Sequence, residues 1–458
     1  MLFRTSVIPG LLLAILAACL MAYGAQSHEQ TITVFVLVLC VCWWIFEPIP
    51  IPVTSLLPLA LFPLTGVLSS NQVAEAYGSP LILLLLGGFV LSQGMEATGA
   101  HRRLALGVVR LVGADSPRRV IFGFMAAGAL LSMWISNTAT VLMLLPVALA
   151  VIAGVSTNRE QIATPLLLGL AWACSVGGLG TPIGTPPNLL FLQVYSETTG
   201  NEVSFSQWMR WGVPVVVVLV PLLAFWLTRR VPRDCELALP DVGPWRSAER
   251  RVLVIFVVTA LAWITRSEPF GGWREWLGLP GASDASVALL AVVAVFLVRD
   301  REGQPLLGWQ DANRIPWGVL LLFSGGICLA KAFTVSGLSA VVGDMLSVLV
   351  SLPPVVTILS IAILVTFLTE ATSNTATTAL LMPVLAAAGL AAGVDPIMLM
   401  LPAVMSASCA FMLPVATAPN AVVYGSEQLK VSEMVREGFV ANLIGAVVVT
   451  ALISWVVV

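Results

Sequence analysis

The sequence predicts an all-α polytopic membrane protein: about 11 transmembrane helices plus two re-entrant helical hairpins, arranged as an inverted-topology repeat. Three observations carry that reading. Hydrophobic residues make up 58% of the 458 positions and charged residues only 10%, with a mean hydropathy of +0.98, whereas soluble domains carry about 25% charged residues. A length that would suit about three soluble domains therefore describes one membrane domain, 1–458. The pentapeptide Ser-Asn-Thr-Ala-Thr occurs twice, at Ser136–Thr140 and Ser373–Thr377, each time inside a long apolar stretch. Finally, the basic residues fall almost entirely on one side of the predicted spans.

In chain order, span one is Val7–Tyr23, after Arg4. A secretory leader would share this pattern, with Ala22-x-Gly24 as a cleavage site, but the expectation is a retained helix. Span two is Thr31–Phe46, and Pro48-Ile-Pro50-Ile-Pro52 then turns the chain into span three, Val53–Leu68. Span four, Leu81–Ala97, is followed by a basic segment, His101–Arg119. The stretch Val120–Val155 holds the first pentapeptide at its centre. Its first arm, Val120–Ile135, is 16 residues, roughly 24 Å of helix against a hydrocarbon core of ~30 Å, so 120–155 reads as a hairpin that turns inside the bilayer. Irregular backbone at that depth requires surrounding protein or a watery cavity. Span five, Ala163–Tyr195, is too long for one straight crossing and contains a Gly/Pro-rich break, so 163–195 is a broken helix; span six is Gly212–Leu227.

A polar loop, Arg229–Arg251, separates the halves. Span seven is Val252–Ile264, span eight Val287–Val298 and span nine Trp317–Val335. An amphipathic segment, Val341–Leu352, precedes the second hairpin, 355–392, with the second pentapeptide at its tip. Span ten is a second broken helix, 397–424, and span eleven is Phe439–Val458.

With the amino terminus inside, 18 of the 22 basic residues lie on the inner side, leaving Arg210, Arg266 and Arg274 outside and Lys331 within a span; the positive-inside rule is satisfied and the carboxyl terminus falls outside. Each half contains five crossings, an odd number, so 31–228 and 252–458 are expected to sit upside down relative to each other. Other anchors keep the register: Gly87-Gly88 with Gly325-Gly326, Gly99 with Gly337, Pro146 with Pro383, and Gly184-Thr185-Pro186-Pro187-Asn188 with Ala416-Thr417-Ala418-Pro419-Asn420. Repeats of this kind place substrate at their interface near the bilayer midplane.

The chemistry at the repeated motifs is neutral and oxygen-rich. Hydroxyl and amide oxygens suit small hard cations, and a broken helix adds free carbonyls for a cation and free N–H groups for an anion. Pro186-Pro187 forbid a continuous helix and Gly184 permits close approach. One such cluster could be interhelical glue; two in register, each with a Pro-Asn break about 50 residues downstream, point to a binding site. Neither hairpin tip nor break contains Arg or Lys, so a multiply charged anion there needs co-bound cations. Glu370 is expected to orient the second hairpin, with Met133 at the equivalent place in the first. Glu96 and Lys331, near span ends, read as snorkelling or paired residues, Glu47 receives no role, and His28 and His101 fall in loops. The seven cysteines show no metal-type spacing and read as small packing residues. A net charge of −2 with no basic cluster beyond the membrane-flanking loops argues against a nucleic-acid partner. An intramembrane enzyme finds no support, since neither H-E-x-x-H nor G-x-S-x-G occurs.

The twin Ser-Asn-Thr motifs, the two breaks and the Thr369-Glu370 lead-in resemble the divalent anion/sodium symporter family over essentially the whole chain. The resemblance implies a homodimer in the cytoplasmic membrane of a prokaryote, an elevator-type movement, sodium as the co-transported ion without an organic cofactor, and a di- or tricarboxylate of the succinate, malate and fumarate class as substrate. It implies one sodium site at Ser132, Ser136, Asn137 and Gly184 and another at Thr369, Thr372, Ser373, Asn374 and Ala416. Substrate carboxylates would meet Asn137, Thr138, Thr185, Ser373, Asn374, Thr375 and Thr417. Ala418 departs from the proline that the family usually has there. Sodium-independent dicarboxylate exchange, or transport of sulfate or another oxyanion, is the competing expectation.

Overall fold

The computed structural model describes residues 3–24, 26–113, 115–155, 159–232, 243–338, 341 and 352–457. Among them the regular elements are all helices, apart from one isolated antiparallel bridge between Arg299 and Pro305. Seven helices of the described residues are long and apolar enough to cross a membrane, and six shorter apolar helices accompany them. The eleven expected spans all appear as helices, several of them shorter than a full crossing.

Helices α1 (Phe3–Tyr23) and α2 (His28–Phe46) pack side by side. The second starts on a capping box in which Ser27 and Gln30 satisfy each other's backbone N–H, and stops at Glu47, left-handed at φ 44° just ahead of Pro48. The proline run yields α3 (Ile51–Thr54) and α4 (Leu56–Thr65), the latter ended by Gly66. An amphipathic helix absent from the sequence reading, α5 (Ser70–Tyr77), leads into α6 (Pro80–Thr98). The basic segment folds as α7 (Ala100–Val112), which places His101 in a helix rather than a loop, buried, with Nδ1 2.8 Å from the Met95 carbonyl.

The first hairpin is α8 (Pro117–Ser132) and α9 (Asn137–Ala153), and the broken helix that follows is α10 (Arg159–Gly177), a 3-10 turn at Gly178–Gly180, and α11 (Pro186–Thr199). Then comes α12 (Phe205–Thr228). The connecting stretch of the second half contains α13 (Ser247–Ile264), α14 (Gly272–Trp276), α15 (Asp284–Leu297), α16 (Trp309–Ala312) and α17 (Trp317–Val335). The second hairpin is α18 (Pro354–Glu370) and α19 (Asn374–Ala391); the second broken helix is α20 (Ile397–Ala407) and α21 (Ala418–Tyr424). The last helix, α22 (Val431–Val457), begins eight residues before the expected Phe439 (439 − 431). The amphipathic segment expected at 341–352 lies almost wholly outside the described residues.

The halves interlock. The second arm of each hairpin packs on the last part of the other half's broken helix: α11 against α19, and α21 against α9. Each break also rests on a glycine of the helix that closes its half. A Cβ at Gly212 would stand within 2.1 Å of the Leu179 carbonyl oxygen, and one at Gly438 within 2.3 Å of that of Phe411, so only glycine lets these backbones meet.

Candidate functional site

Both hairpins turn through an extended serine. Ser136 and Ser373 occupy the N-cap positions of α9 and α19, yet neither side chain caps its helix, which leaves both hydroxyls and the first helical N–H groups available. Behind each tip the same three-oxygen arrangement recurs. In the first half Ser132 Oγ donates to the Cys174 carbonyl at 2.7 Å and lies 2.5 Å from a terminal amide atom of Asn137. In the second, Thr369 Oγ1 lies 2.9 Å from Asn374 Oδ1 and 3.1 Å from the Ala407 carbonyl. Ser132 and Thr369 are fully buried, so they form the floor of each cluster and the asparagine is its lid.

The Asn137 amide shows what such a cluster can hold. The terminal atom that faces Ser132 Oγ also lies 3.2 Å from the carbonyls of Cys174 and Gly184. The amide nitrogen takes that place, donating to all three oxygens. An amide oxygen at the same place would join the Ser132 hydroxyl and the two carbonyls as four neutral oxygens, a donor set of the kind that suits a hard cation. Gly184 is required for this geometry: a Cβ there would come within 2.4 Å of the Gly178 carbonyl oxygen and 2.9 Å of that of Met133.

The Pro-Asn asparagines hold the breaks open. Asn188 donates its side-chain amide to the carbonyls of Gly178 (2.9 Å) and Thr181 (2.7 Å), and Asn420 donates to those of Ala410 and Leu413, both at 3.1 Å. Both are fully buried. They satisfy carbonyls freed by the break and stand behind the site rather than in it.

Between the two tips lies a cavity of about 730 Å³. From the first half it is lined by Ser136, Asn137, Thr138, Gly184 and Thr185, and from the second by Thr372, Ser373, Asn374, Thr375, Ala416 and Thr417. The expected site residues are thus brought together, with Ser132 and Thr369 beneath the surface. Thr372 is engaged locally, bonded to the Leu368 carbonyl (3.0 Å) and the Thr377 hydroxyl (2.6 Å). Four helices, α9, α11, α19 and α21, begin at this cavity, and helix N-termini favour anions. Among the described residues its one basic lining group is Arg314, exposed at the far end with Glu47 and Glu96 and 3.4 Å from Asp311.

Several cavity residues escape sequence reasoning. Ser92 and Gln93 of α6 also line the cavity; they stand outside the duplicated motifs, so no spacing marks them. Ser175 lines the cavity with a buried hydroxyl that has no protein partner, and Ser408, at the corresponding place in the second half, has another. The Glu370 expectation is sharpened: its carboxylate accepts from the backbone N–H groups of Phe411 (2.6 Å), Met412 (2.9 Å) and Leu413 (3.0 Å) and from Asn442 Nδ2 (2.8 Å). Lys331 is an ion-pair residue, 2.6 Å from Glu75. Among the described residues no cluster of His, Cys, Asp and Glu could hold a metal ion.

Comparison with known proteins finds relatives over nearly the whole chain. A family model described as the sodium:sulfate symporter transmembrane region matches residues 3–458. A protein named as a sodium-dependent dicarboxylate transporter, from Staphylococcus saprophyticus, is 37% identical over 471 aligned positions, covering 98% of this chain and 90% of its own. A protein of the same name from Staphylococcus aureus is 37% identical over 437 positions, covering 90% of this chain and 83% of its own. The crystal structure of the YdaH transporter of Alcanivorax borkumensis, described as having an unusual topology, superposes with a TM-score of 0.58 at 16% identity over 94% of this chain and 99% of that one, a likeness of fold.

Proposed function

We infer, from the premise that this chain belongs to the sodium:sulfate symporter family and is an integral membrane protein, that it carries dicarboxylates across the membrane coupled to sodium. The observation that carries this reading is the pair of repeat-related oxygen clusters, Ser132–Asn137–Cys174 and Thr369–Asn374–Ala407, flanking one cavity where four helices begin. A sodium ion would sit at each cluster: one at Ser132, Ser136, Asn137 and Gly184, the other at Thr369, Thr372, Ser373, Asn374 and Ala416. The dicarboxylate would lie between them, its carboxylates meeting Asn137, Thr138, Thr185, Ser373, Asn374, Thr375 and Thr417.

Charge makes the coupling necessary. A dianion gains from helix N-termini, but among the described residues no guanidinium or ammonium lies at the tips to balance two negative charges away from water. Two sodium ions would balance them, each opposite charge at ~4 Å being worth about 4 kcal/mol at an effective dielectric of ~20. The relatives whose names specify sodium and dicarboxylate favour this substrate class.

The remaining parts of the proposal are topological. The amino terminus faces the cytoplasm and the carboxyl terminus the outside, as the basic residues dictate, so the Glu47–Arg314 end of the cavity opens inward. The two halves, 31–228 and 252–458, form an inverted repeat, and the hairpins with their broken helices move together against the rest of a homodimer in a bacterial cytoplasmic membrane. The family name also admits sulfate, and a panel of labelled anions in proteoliposomes decides among substrates.

Because coupling between sites is reciprocal, dicarboxylate affinity measured calorimetrically on purified protein should fall at least tenfold when choline replaces sodium, about 1.4 kcal/mol. Equal affinity in the two salts would replace symport with sodium-independent exchange.

A further inference from the structure

The two cation clusters are built alike but charged differently. In the second, the residue after Thr369 is Glu370, 5% exposed, and its two oxygens meet donors only: three consecutive backbone N–H groups of the break and the Asn442 amide. That partner set is the one a carboxylate accepts from. Leu413, the last of the three, is tied through its carbonyl to the Ala416 N–H (3.2 Å) and the Asn420 amide, so the carboxylate holds the stretch of backbone that leads to Ala416 of the second cluster. In the first half the same place is taken by Met133. Its side chain packs on Gly180, where an added Cβ would lie within 2.6 Å of it, and its backbone carbonyl accepts from Thr181 Oγ1. Packing does there what a charge does in the second half.

Resting on the symport reading, we propose that Glu370 is a positioning residue that makes the two sodium sites unequal, the second binding sodium more tightly and filling first. The fixed negative charge is shared with backbone dipoles rather than with a side-chain cation, so its field remains to favour an adjacent cation, and one turn of backbone couples its position to Thr369 and Ala416. The first cluster has neutral oxygens only, and its ion gains its balancing charge when the dianion arrives. The order of events is then sodium at the second site, followed by substrate together with sodium at the first.

Uptake by proteoliposomes across a sodium titration tests this with Glu370→Gln and Asn442→Ala. Glu370→Gln should raise the half-maximal sodium concentration at least tenfold while keeping uptake at saturating sodium within about threefold; Asn442→Ala, which leaves the charge in place, should shift it by less than about threefold. An unchanged sodium requirement in Glu370→Gln overturns the assignment, as does an equal loss of uptake by both variants at every sodium concentration, which would mark a purely structural tie. A second measurement leaves Glu370 untouched: in thermal-melting titrations, sodium should stabilise Asn137→Ala, with its second site intact, at a concentration at least tenfold below that needed for Asn374→Ala. Equal requirements would overturn the proposal even if Glu370→Gln failed to fold. Sodium-independent uptake by the unaltered protein would instead overturn the symport reading, and this order with it.

Discussion

The two halves of the site share a hydrogen-bond skeleton and differ in what surrounds it. Ser132 and Thr369 each bond to an asparagine amide and to a carbonyl near the end of a half-helix, and Asn188 and Asn420 tie their breaks identically. Yet Ile183 in the first break is 8% exposed, while Val415, its counterpart, is 81% exposed. The first break is held by packing: Gly184 against two carbonyls, Met133 against Gly180, and Trp208 Nε1 bonded to the Leu179 carbonyl at 2.9 Å. The second lies open to the cavity on one side, where packing cannot act, and a carboxylate with four donors holds it instead. Duplicated motifs conserve the chemistry facing the ligand; the means of supporting it diverged with local burial.

If the skeleton is what matters, the largest effects should fall on the two asparagines alike. Asn137→Ala and Asn374→Ala should each reduce sodium-coupled uptake at least 100-fold while the purified protein still elutes as a folded species. Normal uptake by either would break the equivalence of the halves. The next largest effect should be unequal. Gly184→Ala forces a methyl against two backbone oxygens, an overpacking that typically costs about 1–3 kcal/mol, and it displaces a carbonyl of the first cluster, so the half-maximal sodium concentration should rise at least tenfold. Ala416→Gly, the reverse exchange at the matching position, opens no clash and should cost only about 0.5–1 kcal/mol in stability with uptake retained. Equal sodium titrations for the two would show that the first break is not close-packed in the working protein.

This contrast also marks what the sequence could disclose. Periodicity and the repeated pentapeptide are local signals, so the hairpins at 120–155 and 355–392 and both broken helices were legible to within a few residues, and the convergence of Asn137, Thr185, Asn374 and Thr417 on one cavity followed from the repeat. Helix α5 was hidden because its polar composition, Ser-Asn-Gln-Val-Ala-Glu-Ala-Tyr, reads as a loop. Ser92 and Gln93 were hidden because the tertiary packing of α6, which no motif encodes, is what brings them to the cavity. Asn188 and Asn420 were recognisable as special but not as backbone ties, since their partners are carbonyls that every residue possesses. The role of Glu370 was half visible: a carboxylate at bilayer depth needs polar partners, but only the fold shows that N–H groups 41 to 43 residues further on supply them.

The smallest difference lies in the two threonines that open α11 and α21. Thr417 caps its helix, accepting from the Asn420 N–H at 3.2 Å, whereas Thr185 makes no such bond. Both residues line the cavity, and each hydroxyl keeps a proton to donate to a carboxylate, so the two alanine variants should lose substrate affinity to a similar extent. Stability should separate them. Removing a threonine N-cap costs about 0.5–2 kcal/mol, so Thr417→Ala should lower the melting temperature of the purified protein while Thr185→Ala leaves it close to that of the unaltered chain. A hydroxyl already oriented by its cap also loses less freedom on binding than one that must be fixed by the ligand. Thr417 is therefore the preorganised donor and Thr185 the adaptable one, and identical melting of the two variants would remove that distinction.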